Sequence, residues 1–83
     1  MIFFGIVDRG NGIWGVRIPD LPGCHGGGRF LDEAVEDVTS AAADWVEHQI
    51  KNGRTIPRPS TVEAIEPLSD ANEIVLEISV ALM

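Results

Sequence analysis

The sequence predicts an α+β fold of two layers, in which one long helix packs on an antiparallel-rich sheet in the order β-β-β-α-β. Three observations support this prediction. Two short apolar segments flank a glycine-rich turn near the start, a later segment has helical periodicity, and large apolar residues recur at every second position near the end. Because 83 residues suffice for one small domain, residues 1–83 are expected to form a single domain.

The first two predicted strands form a hairpin. Residues 2–7 and 13–18 are mostly β-branched or aromatic, and the sequence Arg-Gly-Asn-Gly at residues 9–12 separates them. In the second strand Trp14 and Val16 share one face, because side chains alternate along a strand. One face of this hairpin is therefore expected to pack against the core.

A turn and a short third strand are predicted to follow. Residues 19–28 contain two prolines and four glycines, which excludes a helix. The glycines are expected to supply positive φ angles or a close backbone approach. We expect an ordered turn that leads into a third strand at residues 27–30.

The helix is predicted over residues 31–50. Its apolar residues recur at helical spacing along one stripe, and its polar side carries acidic residues that are concentrated in the first turns, where the helix dipole favours them. Lys51, Asn52 and Gly53 provide the cation and the glycine that are typical of a helix end.

The remainder of the chain returns to the sheet. Pro57 and Pro59 prevent continuation of the helix. Ser-Thr-Val-Glu at residues 60–63 has the spacing of a capping box, which predicts a single helical turn near residues 61–65, with a short strand as the alternative. Residues 73–82 alternate in the manner of a half-buried strand and are predicted to be the last one.

The charge balance restricts the class of partner. The chain has 13 acidic and 6 basic side chains and a formal charge of −7. Nucleic-acid affinity normally depends on clustered lysines and arginines, so direct binding of DNA or RNA is not expected. An acidic surface can attract a basic protein partner, and it can also serve only to keep a small protein soluble.

Composition also predicts the compartment. Cys24 is the single cysteine and has no intrachain partner for a disulfide. The apolar start of the chain reaches Asp8 before a signal-peptide core could form, and no apolar run is long enough to cross a bilayer. We expect a cytoplasmic protein without membrane association.

Three segments in order resemble one protein family. They read Ile-Pro-Asp-Leu-Pro-Gly-Cys at residues 18–24, Leu-Asp-Glu-Ala-Val at residues 31–35 and Ile-Pro-Arg-Pro-Ser at residues 56–60. Together they resemble the HicB-type antitoxin family over nearly the whole chain. Phe30 departs from the family pattern, which has Thr or Ser before this helix. The sequence stops at Met83, after the last predicted strand, so the C-terminal DNA-binding domain of many relatives is not expected here and operator binding is not carried over.

The resemblance implies both a fold and a function. The fold is a partial RNase H-like domain that forms a dimer or tetramer. The function is that of an antitoxin in a type II toxin-antitoxin system, which binds a small basic toxin, the mRNA-cleaving ribonuclease HicA, and occludes its RNA-binding surface without catalysing a reaction or needing a cofactor. The acidic residues expected to contact the toxin are Asp20, Glu33, Glu36, Asp37, Asp44 and Glu47.

Two alternatives use the same residues differently. The chain could be a solitary oligomeric binding module without a toxin. It could also be a metal-dependent nuclease, for which Asp8, Asp20 and Glu33 are the acids placed to meet near one sheet edge. A zinc site from Cys24 and the histidines is disfavoured, because an adjacent Cys and His lack the usual ligand spacing.

Self-association is predicted from the strands. The first strand carries apolar side chains on both faces, and Val75 adds to the second face of the last strand. A sheet with one helix covers only one face, so part of the other is expected to be covered by another chain.

Overall fold

The computed structural model describes residues 1–81 and confirms the α+β class and the predicted element order. Leu82, predicted to belong to the last strand, lies outside the described residues. A short helix and a 3₁₀ turn are inserted before the last strand. The elements are β1 (Ile2–Gly10), β2 (Ile13–Arg17), β3 (His25–Gly28), α1 (Leu31–Lys51), α2 (Val62–Ile65), the 3₁₀ turn Glu66–Leu68 and β4 (Ile74–Ser79). The strands form one sheet in the order β3-β2-β1-β4, and each neighbouring pair is antiparallel.

The predicted hairpin is confirmed, with a two-residue turn. Gly10 pairs with Ile13, which leaves Asn11 and Gly12 at the tip. Both tip residues have positive φ, 55° and 76° respectively. Asn and Gly tolerate this conformation, and two-residue turns of this kind match the twist of the flanking strands.

The predicted turn after β2 is ordered by its own backbone. Ile18 and Cys24 are joined by a backbone hydrogen bond of 3.1 Å, and Gly23 takes a φ of 83° within the loop. The indole Nε1 of Trp45 donates to the Pro22 carbonyl at 3.0 Å, which ties the turn to α1.

The third strand lies two residues earlier than predicted. It spans His25–Gly28 instead of residues 27–30. The reason is that Phe30 is the N-cap residue of α1, so residues 29 and 30 lead into the helix and leave the sheet.

Helix α1 lies directly on the backbone of β3. A Cβ atom added to Gly26 would lie 2.4 Å from the Val38 backbone nitrogen, and one added to Gly28 would lie 2.7 Å from the Glu33 Cβ. The glycines therefore permit a helix-strand contact that no side chain would allow. This contact and the helix-facing side chains of β1, β2 and β4 enclose the core, which contains Phe3, Val7, Val16, Ile18, Leu21, Cys24, Ala34, Val38, Ala42, Val46, Ile78 and Val80.

The second face of the sheet is partly covered by the chain itself, and the sequence prediction missed this. Ile6 faces away from α1 yet is fully buried, and Ile65 is 2% exposed. Arg17, which pairs with Ile6 across the β1–β2 ladder, donates to the Leu68 carbonyl at 3.4 Å and to Glu73 at 2.7 Å. Residues 62–73, called the cover segment here, are thus anchored over this part of the face.

Candidate functional site

Glu33 holds the start of α1. Its Oε1 accepts hydrogen bonds from the backbone N–H groups of Arg29 at 3.1 Å and Phe30 at 3.3 Å. The Phe30 side chain has no oxygen with which to cap the helix, so only the glutamate half of a capping box is formed. The carboxylate stabilises the helix start by bonding otherwise unsatisfied donors and by lying at the positive end of the helix dipole.

Asp37 holds the edge strand. Its Oδ2 accepts a hydrogen bond of 2.9 Å from the backbone N–H of Gly27, in the middle of β3. Because β3 is the last strand on its side of the sheet, this N–H has no neighbouring strand to bind. Asp37 therefore satisfies a backbone donor that would otherwise be exposed.

Asp20 joins two distant parts of the chain. Its Oδ1 accepts from the Ser60 hydroxyl and its Oδ2 from the Ser60 backbone N–H, both at 2.7 Å. Ser60 was predicted to open the capping box of α2, and this was wrong. Thr61 is the N-cap residue, and its side chain accepts from Ala64 N–H at 3.3 Å. The predicted helical turn is confirmed at Val62–Ile65, and the alternative of a short strand is wrong.

The other three predicted acids form a separate group, Glu36, Asp44 and Glu47, called the acidic helix face here. All three are exposed on the side of α1 opposite its buried residues. Glu47 pairs with Lys51 at 2.9 Å, and both of these side chains are more than half exposed, so the pair contributes little to stability. Glu36 and Asp44 make no hydrogen bond or ion pair within residues 1–81.

An apolar groove borders the acidic helix face. It has a volume of about 220 Å³ and lies between the C-terminal half of α1 and Ala81, two residues after the end of β4. Among the described residues it is lined by Ala43, Val46, Glu47, Ile50, Lys51 and Ala81. Ile50 is 49% exposed here, although large apolar side chains on a helix are usually buried.

The structure separates the acids that the nuclease alternative needs. Asp8 pairs with Gly15 on the second face of the sheet and lies 3.8 Å from Arg17. Glu33 lies at α1, on the opposite side of the sheet, and both oxygens of Asp20 are engaged by Ser60. Within residues 1–81 no group of three or more His, Cys, Asp or Glu side chains is placed to hold a metal ion.

Structural contacts shift the pKa values of two other ionisable groups, Glu73 and Cys24. The hydrogen bond from Arg17, together with the Asp70 backbone N–H, lowers the pKa of Glu73 to about 2. Burial raises the pKa of the Cys24 thiol, which keeps it protonated and unreactive as a nucleophile. The sequence analysis did not predict the Arg17–Glu73 pair, because the segment that leads to Glu73 has no periodicity that would indicate what it contacts.

Comparison with known proteins identifies the family. Residues 4–82 match the family described as "HicB_like antitoxin of bacterial toxin-antitoxin system". The chain belongs to this family. Its function is accordingly that of a HicB-like antitoxin, as the three sequence segments predicted. No curated protein sequence resembles the chain closely enough to count as a match.

Solved structures of HicB antitoxins resemble this HicB-like chain closely. The N-terminal domain of Burkholderia pseudomallei antitoxin HicB is 32% identical with a TM-score of 0.85, over 99% of this chain and 100% of that one. The Burkholderia pseudomallei antitoxin HicB itself is 32% identical with a TM-score of 0.82, and the match covers 99% of this chain but 64% of that one.

A more distant structure shares the fold alone. A chain of the HicA3 and HicB3 toxin-antitoxin complex is 16% identical with a TM-score of 0.73, over 99% of this chain and 100% of that one. The HicB-like architecture therefore persists where little sequence identity remains. In the part of the chain that the structure describes, no helix is both long and apolar enough to span a membrane.

Proposed function

We propose that this antitoxin binds a small basic ribonuclease toxin of the HicA type and occludes its RNA-binding surface, with the acidic helix face as the main contact. The observation that carries the proposal is the unbalanced charge of Glu36 and Asp44, which are exposed and have no partner within residues 1–81. A basic protein would supply the missing positive charge. The distant structural neighbour is itself a chain of a toxin-antitoxin complex.

The six predicted acids divide into two roles in this proposal. Glu36, Asp44 and Glu47 contact the toxin directly. Asp20, Glu33 and Asp37 already accept hydrogen bonds within the chain and act mainly by holding the binding surface in shape and by adding to the net negative field. An ionised carboxylate has about four acceptor sites, so these three retain some capacity for an outside donor.

The groove beside the acidic helix face supplies the apolar part of the proposed interface. Protein interfaces typically combine an apolar centre with a polar rim. Here Ala43, Val46 and Ile50 form an apolar floor, and Glu47 and Lys51 also line the groove. Asp44 lies beside Glu47 in an adjoining depression. A toxin with an apolar side chain flanked by lysine or arginine fits this arrangement.

Two further parts of the proposal concern chemistry and assembly. The antitoxin acts by occlusion and catalyses no reaction itself. It also forms a dimer or tetramer through the part of the second sheet face that the cover segment leaves open, where Ile2 is 48% exposed and Phe4 is half-buried. If no toxin exists, this surface would support the alternative of a solitary oligomeric module.

Charge reversal of the acidic helix face tests the main claim. The variant Glu36→Lys/Asp44→Lys/Glu47→Lys should no longer protect cells that co-express the toxin, and its affinity should fall about 10-fold to 100-fold at physiological salt, since like charges would then oppose each other. Binding by the wild type should also weaken as salt rises. Growth of the co-expressing cells and a binding titration measure these effects.

The matched control is Glu63→Lys/Glu66→Lys/Asp70→Lys, which changes the net charge equally at exposed positions of the cover segment. It should protect nearly as well as the wild type. Full protection by a folded helix-face variant would remove this face as the toxin-binding surface. Failure of the wild type to protect would overturn the proposal that the chain neutralises this toxin.

A further inference from the structure

The two edges of the sheet are unequal. The β3 edge is closed, because Asp37 accepts the Gly27 N–H and α1 lies against the backbone at Gly26 and Gly28. Closure by a helix is one of the usual ways in which proteins prevent an edge strand from pairing with another chain. Among the strands of residues 1–81, only β4, at the other end of the sheet, can accept a further strand.

Within the part of the chain that the structure describes, the β4 edge is open along its whole length. Its inner side pairs with β1 from Ile74 to Ser79. The ladder is extended by one step, because the Val80 N–H donates to the Met1 carbonyl at 2.8 Å and the Met1 amino group donates to the Val80 carbonyl at 3.2 Å. Within residues 1–81, no group outside β1 hydrogen-bonds to residues 74–79. In an antiparallel edge strand, alternate residues then direct their N–H and C=O groups outward.

Most of the usual protective features of an edge strand are missing from β4, in which Glu77 is the one charged residue. Residues 74–79 contain no proline and no lysine, and the pairing with β1 runs residue for residue without a bulge. Ile74 is 52% exposed, and Val75 and Leu76 are only half-buried. An exposed apolar edge strand of this kind is a template for strand addition.

We propose that β4 binds an extended strand of a basic protein partner, which joins the sheet as its fifth strand. The inference rests on the proposed function, because it takes that partner to be the toxin. Apolar side chains of the partner would lie opposite Ile74 and Leu76, and a lysine or arginine would lie opposite the exposed Glu77.

Charge decides between a basic partner and a second copy of the chain at this edge. Each copy carries a formal charge of −7, so a strand from a second copy gains no charge attraction at β4, whereas a basic strand is attracted. The acidic helix face adds to this attraction.

Hydrogen exchange of the wild-type complex is the direct test. The probe is a small basic ribonuclease of the HicA type, purified as a complex with the full chain. Amides of β4 that point outward should exchange at least about 10-fold more slowly in the complex than in the free chain, because a new ladder protects them. Amides of β3 should not change. A complex that forms without added protection in β4 overturns the inference and leaves the proposed function standing.

A matched pair of substitutions gives a second readout. Ile74→Lys places a positive charge on the β4 edge and should weaken toxin binding about 10-fold or more. The reason is that a lysine on an edge strand disfavours pairing with another strand and repels a basic one. Ile13→Lys makes the same change on the internal strand β2, where Ile13 is 56% exposed and Ile74 on β4 is 52% exposed. It should change the affinity for the toxin less than about twofold.

Two outcomes would overturn the edge assignment. Equal effects of the two lysine substitutions would show that binding does not use β4. Protection of β4 in the free chain that grows with its concentration would show that a second copy occupies the edge. If the wild type forms no complex at all, the proposed function fails together with this inference.

Discussion

Polar side chains in this protein hold the irregular segments against the regular ones. Arg17 on β2 reaches Glu73 in the cover segment, and Asp20 after β2 reaches Ser60 before α2. Both bonds involve an ionised group, and such bonds contribute more to stability than neutral ones. The family segments around residues 18–24 and 56–60 therefore meet in space, which gives their joint presence a structural reason.

The Arg17–Glu73 pair predicts a pH dependence. The hydrogen bond from Arg17 lowers the pKa of Glu73 from its usual 4.5 to about 2. A carboxylate whose pKa is lower in the folded state stabilises fully above about pH 4.5, and this contribution disappears as the pH falls to about 2. Glu73→Gln should therefore be less stable than the wild type at neutral pH, with the difference shrinking towards pH 2.

Urea unfolding at several pH values measures this difference. Glu77→Gln is the control, because Glu77 is exposed and makes no hydrogen bond or ion pair within the described chain. It should give nearly the pH profile of the wild type. A constant gap between Glu73→Gln and the wild type from pH 7 to 2 would contradict the assigned role of the ion pair.

At the scale of elements, the contact of α1 with β3 determines how closely the helix lies on this edge of the sheet. The glycines of residues 19–28 were predicted to supply positive φ angles or a close backbone approach, and both occur. The close approach is at Gly26 and Gly28, and the positive φ is at Gly23. The sequence could show that glycine was needed here but could not show which element would approach, because that depends on the final packing.

A methyl group at Gly26 should disrupt this contact. The added Cβ would meet the Val38 backbone, which cannot move without shifting α1. Gly26→Ala should lower the free energy of unfolding by about 1–3 kcal/mol or more, the range for overpacked sites. Chemical denaturation followed by circular dichroism measures this loss.

Gly10→Ala is the matched control for that substitution. An added Cβ at Gly10 meets no described atom within 4 Å, and Gly10 is not among the residues with positive φ. Its stability should stay within about 0.5 kcal/mol of the wild type, as at other surface sites. If the two variants were equally stable, the helix would not depend on the glycine backbone of β3.

For the whole molecule, the sequence predicted the order of the elements but not the cover over the second face. Strong periodicity identified α1 and β4, which pack through regular apolar stripes. The cover segment has no such period, and Arg17 bonds a residue 56 positions away. For the candidate site, the sequence proposed six acids but could not divide them by their contacts, because Asp20, Glu33 and Asp37 acquire their partners only in the folded chain.

The remaining open part of the second face predicts self-association. Analytical ultracentrifugation at tens of micromolar, an ordinary range for protein association, should show a dimer or a larger species. Ile2→Asp should shift the population towards monomer, because it places a charge in the exposed apolar patch. Leu68→Asp, at a 56% exposed residue of the cover segment, should not. A wild-type chain that stays monomeric under these conditions would refute the assembly.

The closeness of α1 to β3 also bears on how such proteins diversify. Gly26 and Gly28 cannot accept a side chain without moving the helix, whereas Glu36, Asp44 and Ile74 are exposed and can change without disturbing the core. Related antitoxins can therefore retain the architecture while altering the residues proposed to meet a partner. Specificity depends on the difference in affinity between the right and the wrong partner, so changes at these exposed positions are expected to alter partner choice without altering the fold.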